Sequence, residues 1–362
     1  MRQLATIQKI EWIRPIEGKD RIVLAGILGW QVIVTKDLGD VGDLVVYCEI
    51  DSQLSEKPEF EFLRPKKFRI RTMKMAGTIS QGICFPLSIL PAREKPYEIG
   101  EDVTEVIGVT KYEPQDDEPW YKSLRPESVK RPWYMKLPLM RFRWYRRLVK
   151  SDKTKGGFPS FISKTDETRI QVVPHMLNDK DQCYVVTEKI DGTSGTFALV
   201  RHKRWIFKPK YEYIVCSRNM RLQKDNSIYW QVSDKYNIET ALKNLIGNND
   251  WVAIQGECIG PKIQGNKYKV TEPDLYVFNL VYPKGRRGSL SAKGLLEARG
   301  FNFVPILETC YVLPDTVDEM IAYAHGDSKI GPTIREGVVV RDLEGVRSFK
   351  AVDPEFLLKY NI

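Results

Sequence analysis

Glu188, Lys189, Asp191 and Gly192 close a stretch, Cys183-Tyr-Val-Val-Thr-Glu-Lys-Ile-Asp-Gly192, that begins as a buried β-strand. Charged side chains are seldom carried into a sheet unless a partner or a task holds them there. A lysine at a strand end, with a glycine letting the backbone turn sharply behind it, can present its amine at the edge of a pocket. Protonated, that amine is no nucleophile. Desolvation, nearby cations or a bound metal lower its pKa. Asp191 shares a strand face with Lys189 and can hold a sugar hydroxyl or a metal-bound water. K-x-D-G alone is a weak signal, and an ion pair at a strand end explains it without chemistry.

Further reactive types follow in order: Cys216-Ser-Arg218-Asn219, Trp251-Val-Ala-Ile-Gln-Gly-Glu257, Leu275-Tyr-Val-Phe278-Asn-Leu280, Arg335-Glu336-Gly337-Val-Val-Val-Arg341 and Ser348-Phe-Lys350. Cations, carboxylates and an aromatic at strand ends suit phosphoryl or nucleotidyl transfer, which depends mostly on positioning and charge stabilisation. Singly, each has a plain alternative: Phe278 as core, Arg218 and Arg341 as surface cations, Glu257 as a solvated strand end.

The elements that must position these residues divide the chain. Residues 1–110 read as all-β, with strand-like runs at Leu4–Ile13, Arg21–Ile27, Trp30–Thr35, Leu44–Ile50 and Gly82–Pro86 between turn signals. That spacing predicts a small barrel of the OB type, much used for nucleic acid. The run Arg64-Pro-Lys-Lys-Phe-Arg-Ile-Arg-Thr-Met-Lys74 is either a solvated loop or a strand-binding surface. Residues 111–160 form a basic, aromatic-rich linker whose prolines (Pro114, Pro119, Pro126, Pro132, Pro138) forbid one long helix. Residues 161–362 alternate strands (Gln182–Glu188, Thr196–Val200, Tyr213–Cys216, Val252–Glu257, Leu275–Leu280, Gly337–Arg341) with helical patterns near 228–246, 291–299 and 315–325. The expected class is α+β: an OB-like β-barrel, then a domain of antiparallel sheets with helices.

Composition bounds the rest. The chain has 362 residues, 42% of them hydrophobic, enough for two domains with cores. No stretch approaches a membrane span, and Met1–Trp12 lacks the apolar core of a signal peptide. Six scattered cysteines form no CxxC and read as free thiols of a reduced intracellular protein. Only three histidines are present, which argues against structural zinc. Of the net charge of +9, residues 120–155 carry +10, with Trp120, Trp133, Phe142, Trp144 and Tyr145 interleaved. That pattern serves either nucleic-acid contact or a solvated connector packed on a neighbour.

Taken as a set, the motifs resemble those of the covalent nucleotidyltransferases, the polynucleotide ligases and mRNA capping enzymes. Lys164-Thr-Asp-Glu-Thr-Arg169-Ile-Gln is similar to a segment that precedes the lysine in RNA ligases. The OB-like half precedes the motifs, and 12 residues follow Lys350, so an OB domain behind them is not expected. This order resembles the Naegleria-type RNA ligases. The resemblance implies an ATP-dependent enzyme using Mg²⁺ or Mn²⁺ that joins RNA 3′-OH and 5′-phosphate ends, as a monomer and without a membrane.

Residue by residue, it implies that Lys189 attacks the α-phosphate and Lys350 stabilises it. Glu188, Arg169, Arg218, Glu257, Phe278, Glu336 and Lys350 would bind the nucleotide, and Asp191, Glu257 and Glu336 the metal or its water shell. Within that set Phe278 would stack on adenine, and Arg218 would meet the RNA 5′-phosphate. Two positions depart from the pattern: Val352 stands where a second lysine is usual, and Arg341 replaces another. Either one lysine suffices, or Lys359, Arg347 or Arg341 supplies the charge missing at Val352. A GTP-dependent capping-type enzyme and a non-catalytic RNA-binding protein on a ligase scaffold remain alternatives.

Overall fold

The computed structural model describes residues 3–112, 157–202 and 208–361. Most of the basic linker, with its interleaved aromatics, therefore lies outside the described residues. Among the described ones, the N-terminal half carries β1 (Ala5–Pro15), β2 (Ile22–Ile27), β3 (Trp30–Thr35), β4 (Leu44–Cys48), β5 (Ser52–Gln53), β6 (Arg69–Ile70), β7 (Met73–Met75), β8 (Thr78–Ser80), β9 (Ile83–Pro86) and β10 (Thr110–Lys111). The order β3-β2-β1-β4-β9 makes an antiparallel five-stranded sheet, with β10-β5-β6 and the β7–β8 hairpin beside it. Alternating apolar residues such as Ile7, Val32, Val46 and Trp30 fill one core. This is the OB-like half that the strand spacing predicts.

The C-terminal half carries β11 (Tyr184–Lys189), β12 (Thr193–His202), β13 (Lys210–Cys216), β14 (Arg221–Leu222), β15 (Trp251–Ile259), β16 (Asp274–Tyr282), β17 (Gly285–Arg286), β18 (Asn302–Phe303), β19 (Ile306–Tyr311), β20 (Gly337–Asp342) and β21 (Ser348–Val352). One sheet runs β19-β11-β20-β21, the other β14-β13-β12-β15-β16-β17 with β18 parallel to β16. β11 is central and buried along most of its length, hence its unbroken apolar start. The sharp turn Ile190–Gly192 then carries the chain from one sheet to the other. An alanine Cβ at Gly192 would lie 2.5 Å from the Cys258 carbonyl oxygen, so only glycine allows the two backbones to approach this closely.

Several expectations are corrected. The helical pattern 228–246 is two helices, Ile228–Lys235 and Ile238–Leu245, broken where Asn237 takes a left-handed φ of 46°. A helix at Pro354–Tyr360, capped by Asp353, follows the last motif and carried no strong periodicity in so short a run. Cys183 and Cys310 are disulfide-bonded rather than free, because β11 and β19 are neighbours and bring their Cα atoms to 4.5 Å. Their separation of 127 residues hides this pairing in the sequence. Cys48, Cys84, Cys216 and Cys258 are free. No helix among the described residues is long and apolar enough to cross a membrane.

The two halves share packing. Val352 and Leu357 join the core of the N-terminal half, and Gly29 N–H donates to the Gln171 carbonyl at 3.1 Å. Arg169 pairs with Asp51 at 2.8 Å and lies 5.7 Å from the Trp30 ring centroid.

Candidate active site

A cavity of about 570 Å³ opens at the junction of both sheets and the N-terminal half. All nine residues singled out in the sequence line it: Arg169, Glu188, Lys189, Asp191, Arg218, Glu257, Phe278, Glu336 and Lys350. β11 delivers Lys189, and the start of β20 sets Glu336 against it, Nζ to Oε2 at 2.5 Å. Burial alone would lower the Lys189 pKa. The Glu336 carboxylate outweighs it, with Glu257 and Asp191 beyond, and holds the ammonium above its ordinary value. Glu257, on β15 across from Ser194, is pushed up to about 8 by burial, reinforced by Glu336 and Asp191 and opposed by Lys189. Asp191 pairs with Lys267, whose ammonium lies 4.9 Å from the Tyr360 ring, and its N–H donates to Tyr268 Oη at 2.7 Å.

Three carboxylates on separate elements thus surround one lysine. Their oxygen donors suit a hard divalent cation such as Mg²⁺ or Mn²⁺. No group of three or more His, Cys, Asp or Glu among the described residues is arranged to ligate a metal directly. The donor set therefore fits an ion held through its water shell rather than a dry cage.

Cations complete the lining, with Lys350 on β21 in the same sheet as Lys189. The Arg169 segment runs parallel to β21 at Lys350, whose N–H donates to the Thr168 carbonyl at 2.8 Å. Burial first, then the Arg169 and Lys189 charges, lower Lys350 to about 8, against Asp166. Among the described residues, Arg169 Nε and Nη1 are buried and meet no hydrogen-bond partner. Buried guanidinium N–H groups left unmet are costly, and phosphate oxygens would satisfy them. This is the fit the cavity offers to a nucleotide. Val352 is 1% exposed, packs on the N-terminal core and, two residues beyond Lys350 on β21, also lines the cavity. Of the candidates to replace the missing lysine, Arg347 pairs with Asp179, Lys359 lies by Tyr360, and Arg341 is held by Glu167 at 3.1 Å. Arg169 is the cation beside Lys350.

Phe278 owes its direction to an irregularity. The β15–β16 register runs Gln255↔Asn279, then Gly256↔Val277, which leaves Phe278 as the extra residue of a bulge. A bulge re-aims a side chain, here into the cavity that Val304 and Val339 also line. Glu188 lines the wall and accepts from Ser328 Oγ at 2.5 Å and from the Lys329 N–H at 2.8 Å, one bond on each carboxylate oxygen.

Sequence reasoning missed Asp51, Arg69, Lys111 and Tyr112 from the N-terminal half, and Asp166, Glu167 and Val339 nearer the lysine. Asp166 and Glu167 were within reach, since they sit inside the Lys164–Arg169 segment already noted. Lys267 gave no signal, its neighbours forming no periodic pattern.

A family model described as an OB-fold domain matches residues 4–87, and one described as RNA ligase matches residues 182–360. No match was found among curated proteins. Among solved structures, Naegleria gruberi RNA ligase with PPi is 30% identical at a TM-score of 0.80, covering 100% of this chain and 99% of that one. A glutamate-to-alanine mutant of the Naegleria gruberi enzyme with ATP and Mn is 30% identical at 0.80, over 100% of both chains. A lysine-to-methionine mutant with AMP and Mn is 30% identical at 0.79, over 99% of each.

Proposed function

The chain belongs to the RNA ligases of the Naegleria type, and on that footing we propose that it is an ATP-dependent enzyme joining RNA 3′-OH and 5′-phosphate ends through lysyl-AMP and RNA-adenylate intermediates. The observation that supports this reading is that Lys189 shares one cavity with Asp191, Glu257 and Glu336 and with the cations Lys350 and Arg169.

In the first transfer the Lys189 ammonium, paired with Glu336 Oε2 at 2.5 Å, gives its proton to water. The Lys189 amine attacks the α-phosphorus of ATP, the bond to the β-phosphate oxygen breaks, and pyrophosphate leaves. Lys350 and Arg169 meet the charge on the phosphoryl oxygens, and Phe278 stacks on adenine. The AMP then passes to the RNA 5′-phosphate, met by Arg218. Attack by a 3′-hydroxyl seals the strand and releases AMP. Asp191, Glu257 and Glu336 would hold the water shell of Mg²⁺ or Mn²⁺, and Glu257 also the ribose. The metal, when bound, supplies positive charge that favours a deprotonated lysine and neutralises phosphate.

Residues 1–110 form the OB domain in this reading, 111–160 the linker and 161–362 the nucleotidyltransferase domain of a monomeric, intracellular enzyme. The test is incubation with α-labelled ATP or GTP and divalent metal, followed by denaturing electrophoresis. A labelled band with ATP is expected. A band with GTP alone would make the protein a capping-type enzyme, and none with either would leave it a binding protein.

A further inference from the structure

Asp166 bridges the two cations on which the ligase reading depends. One carboxylate oxygen lies 2.9 Å from Lys350 Nζ and the other 3.1 Å from Arg218 Nη2. The three side chains come from separate places: the segment before β11, strand β21, and the turn between β13 and β14. Lys350 is 13% exposed, whereas Asp166 and Arg218 are 41% and 49% exposed. The carboxylate therefore joins a deep cation to an outer one. Both contacts are charge-assisted, and a phosphate, with more charge and more acceptor oxygens, competes for the same donors.

We infer that Asp166 is a positioning residue that withholds Arg218 from RNA until a nucleotide phosphate has taken Lys350. The inference rests on the ligase reading and deepens it by giving RNA 5′-phosphate recognition an order. With both cations in place, Asp166 is held at two points and masks Arg218. Once the AMP phosphate occupies Lys350, Asp166 keeps Arg218, a half-exposed ion pair of the kind that contributes little, and the charge of Lys111, which draws it away from Arg218. Arg218 can then turn to the 5′-phosphate. The enzyme would discriminate 5′-phosphate from 5′-hydroxyl ends only after Lys189 is loaded, which avoids holding RNA that cannot yet be activated.

The test compares fluorescence anisotropy of two nicked RNA duplexes that differ only in a 5′-phosphate or 5′-hydroxyl at the nick. Both are titrated with full-length protein in EDTA, before and after loading with AMP. The affinity ratio cancels any general gain from removing a negative charge. Expected are a ratio near one for unloaded wild type and about tenfold for unloaded Asp166→Asn, the worth of one charge-assisted contact. The salt dependence for the phosphorylated duplex should steepen by about one ion in that variant. Adding Arg218→Ala to Asp166→Asn should return the ratio to one. Asp166→Ser provides a second variant, read the same way, with thermal melts to confirm folding. Equal ratios in unloaded wild type and both variants, discrimination already present in unloaded wild type, or loss of fold in both variants would overturn the inference. Adduct formation on the wild type separates the two readings. No adduct counts against both, whereas a normal adduct with unchanged ratios overturns the Asp166 inference alone.

Discussion

Lys189 and Lys350 share one cavity and are tuned in opposite directions. Glu336 and its neighbours keep Lys189 charged, so the proposed nucleophile needs positive charge beside it before it can act. Lys189→Ala should abolish the covalent AMP adduct, because only the first transfer uses this amine as nucleophile. Sealing of pre-adenylylated RNA should survive in part, and an undiminished adduct on the mutant would refute the assignment. Lys350 is lowered to about 8 by burial and by Arg169 and Lys189, so its charge is present below that pH and lost above it. Phosphate binding needs the charged form. The apparent ATP affinity in single-turnover adenylylation should therefore weaken as pH rises through about 8. Lys350→Arg should carry that limb beyond about pH 10, since a guanidinium stays protonated there. A profile unmoved by the substitution would assign the limb to another group.

Among the elements, those built on continuous apolar runs were readable in the sequence. β11 and β15 are central strands of their sheets, so their Val and Ile runs mark them and the charged residues after them stand out. What could not be read depends on partners distant in sequence. The bulge that aims Phe278 exists only in the β15–β16 register, and the Cys183–Cys310 bond only once β11 and β19 lie side by side. Glu188, which the resemblance makes a nucleotide-binding residue, is also engaged by Ser328 and Lys329 from a loop 140 residues on, contacts that the sequence does not reveal. The turn at Gly192 links these levels, since it sets the Lys189 strand against the Glu257 strand. An alanine Cβ there would meet the Cys258 carbonyl oxygen at 2.5 Å and Glu257 Cγ at 2.9 Å. Gly192→Ala should cost about 1–3 kcal/mol of stability through overpacking. It should also slow adduct formation by roughly a hundredfold, since small misplacements of reacting groups are that costly. A variant that melts lower but adenylylates normally would uncouple the turn from the site.

At the scale of the whole molecule, the placement of every motif beyond residue 160 suggests an N-terminal half that only holds RNA. The structure gives it more. Asp51, Arg69, Lys111 and Tyr112 line the cavity, and Asp51 anchors the buried Arg169 beside Lys350. Val352 records this union most directly, standing where the family's second lysine is usual and packing with Leu357 into the N-terminal core. Restoring the family residue is therefore the informative experiment. In Val352→Lys a longer side chain would start from a position that is 1% exposed, between the N-terminal core and the cavity. Overpacking that junction should cost about 1–3 kcal/mol. The expected outcome is a lower melting temperature and, because the displaced surface carries β21 and Lys350, a weaker ATP adduct as well. Calorimetry and labelled-ATP gels on the same preparations check both. If Val352→Lys instead melts like the wild type and forms adduct faster, position 352 faces phosphate, and the packing of the two halves is not what removed the lysine.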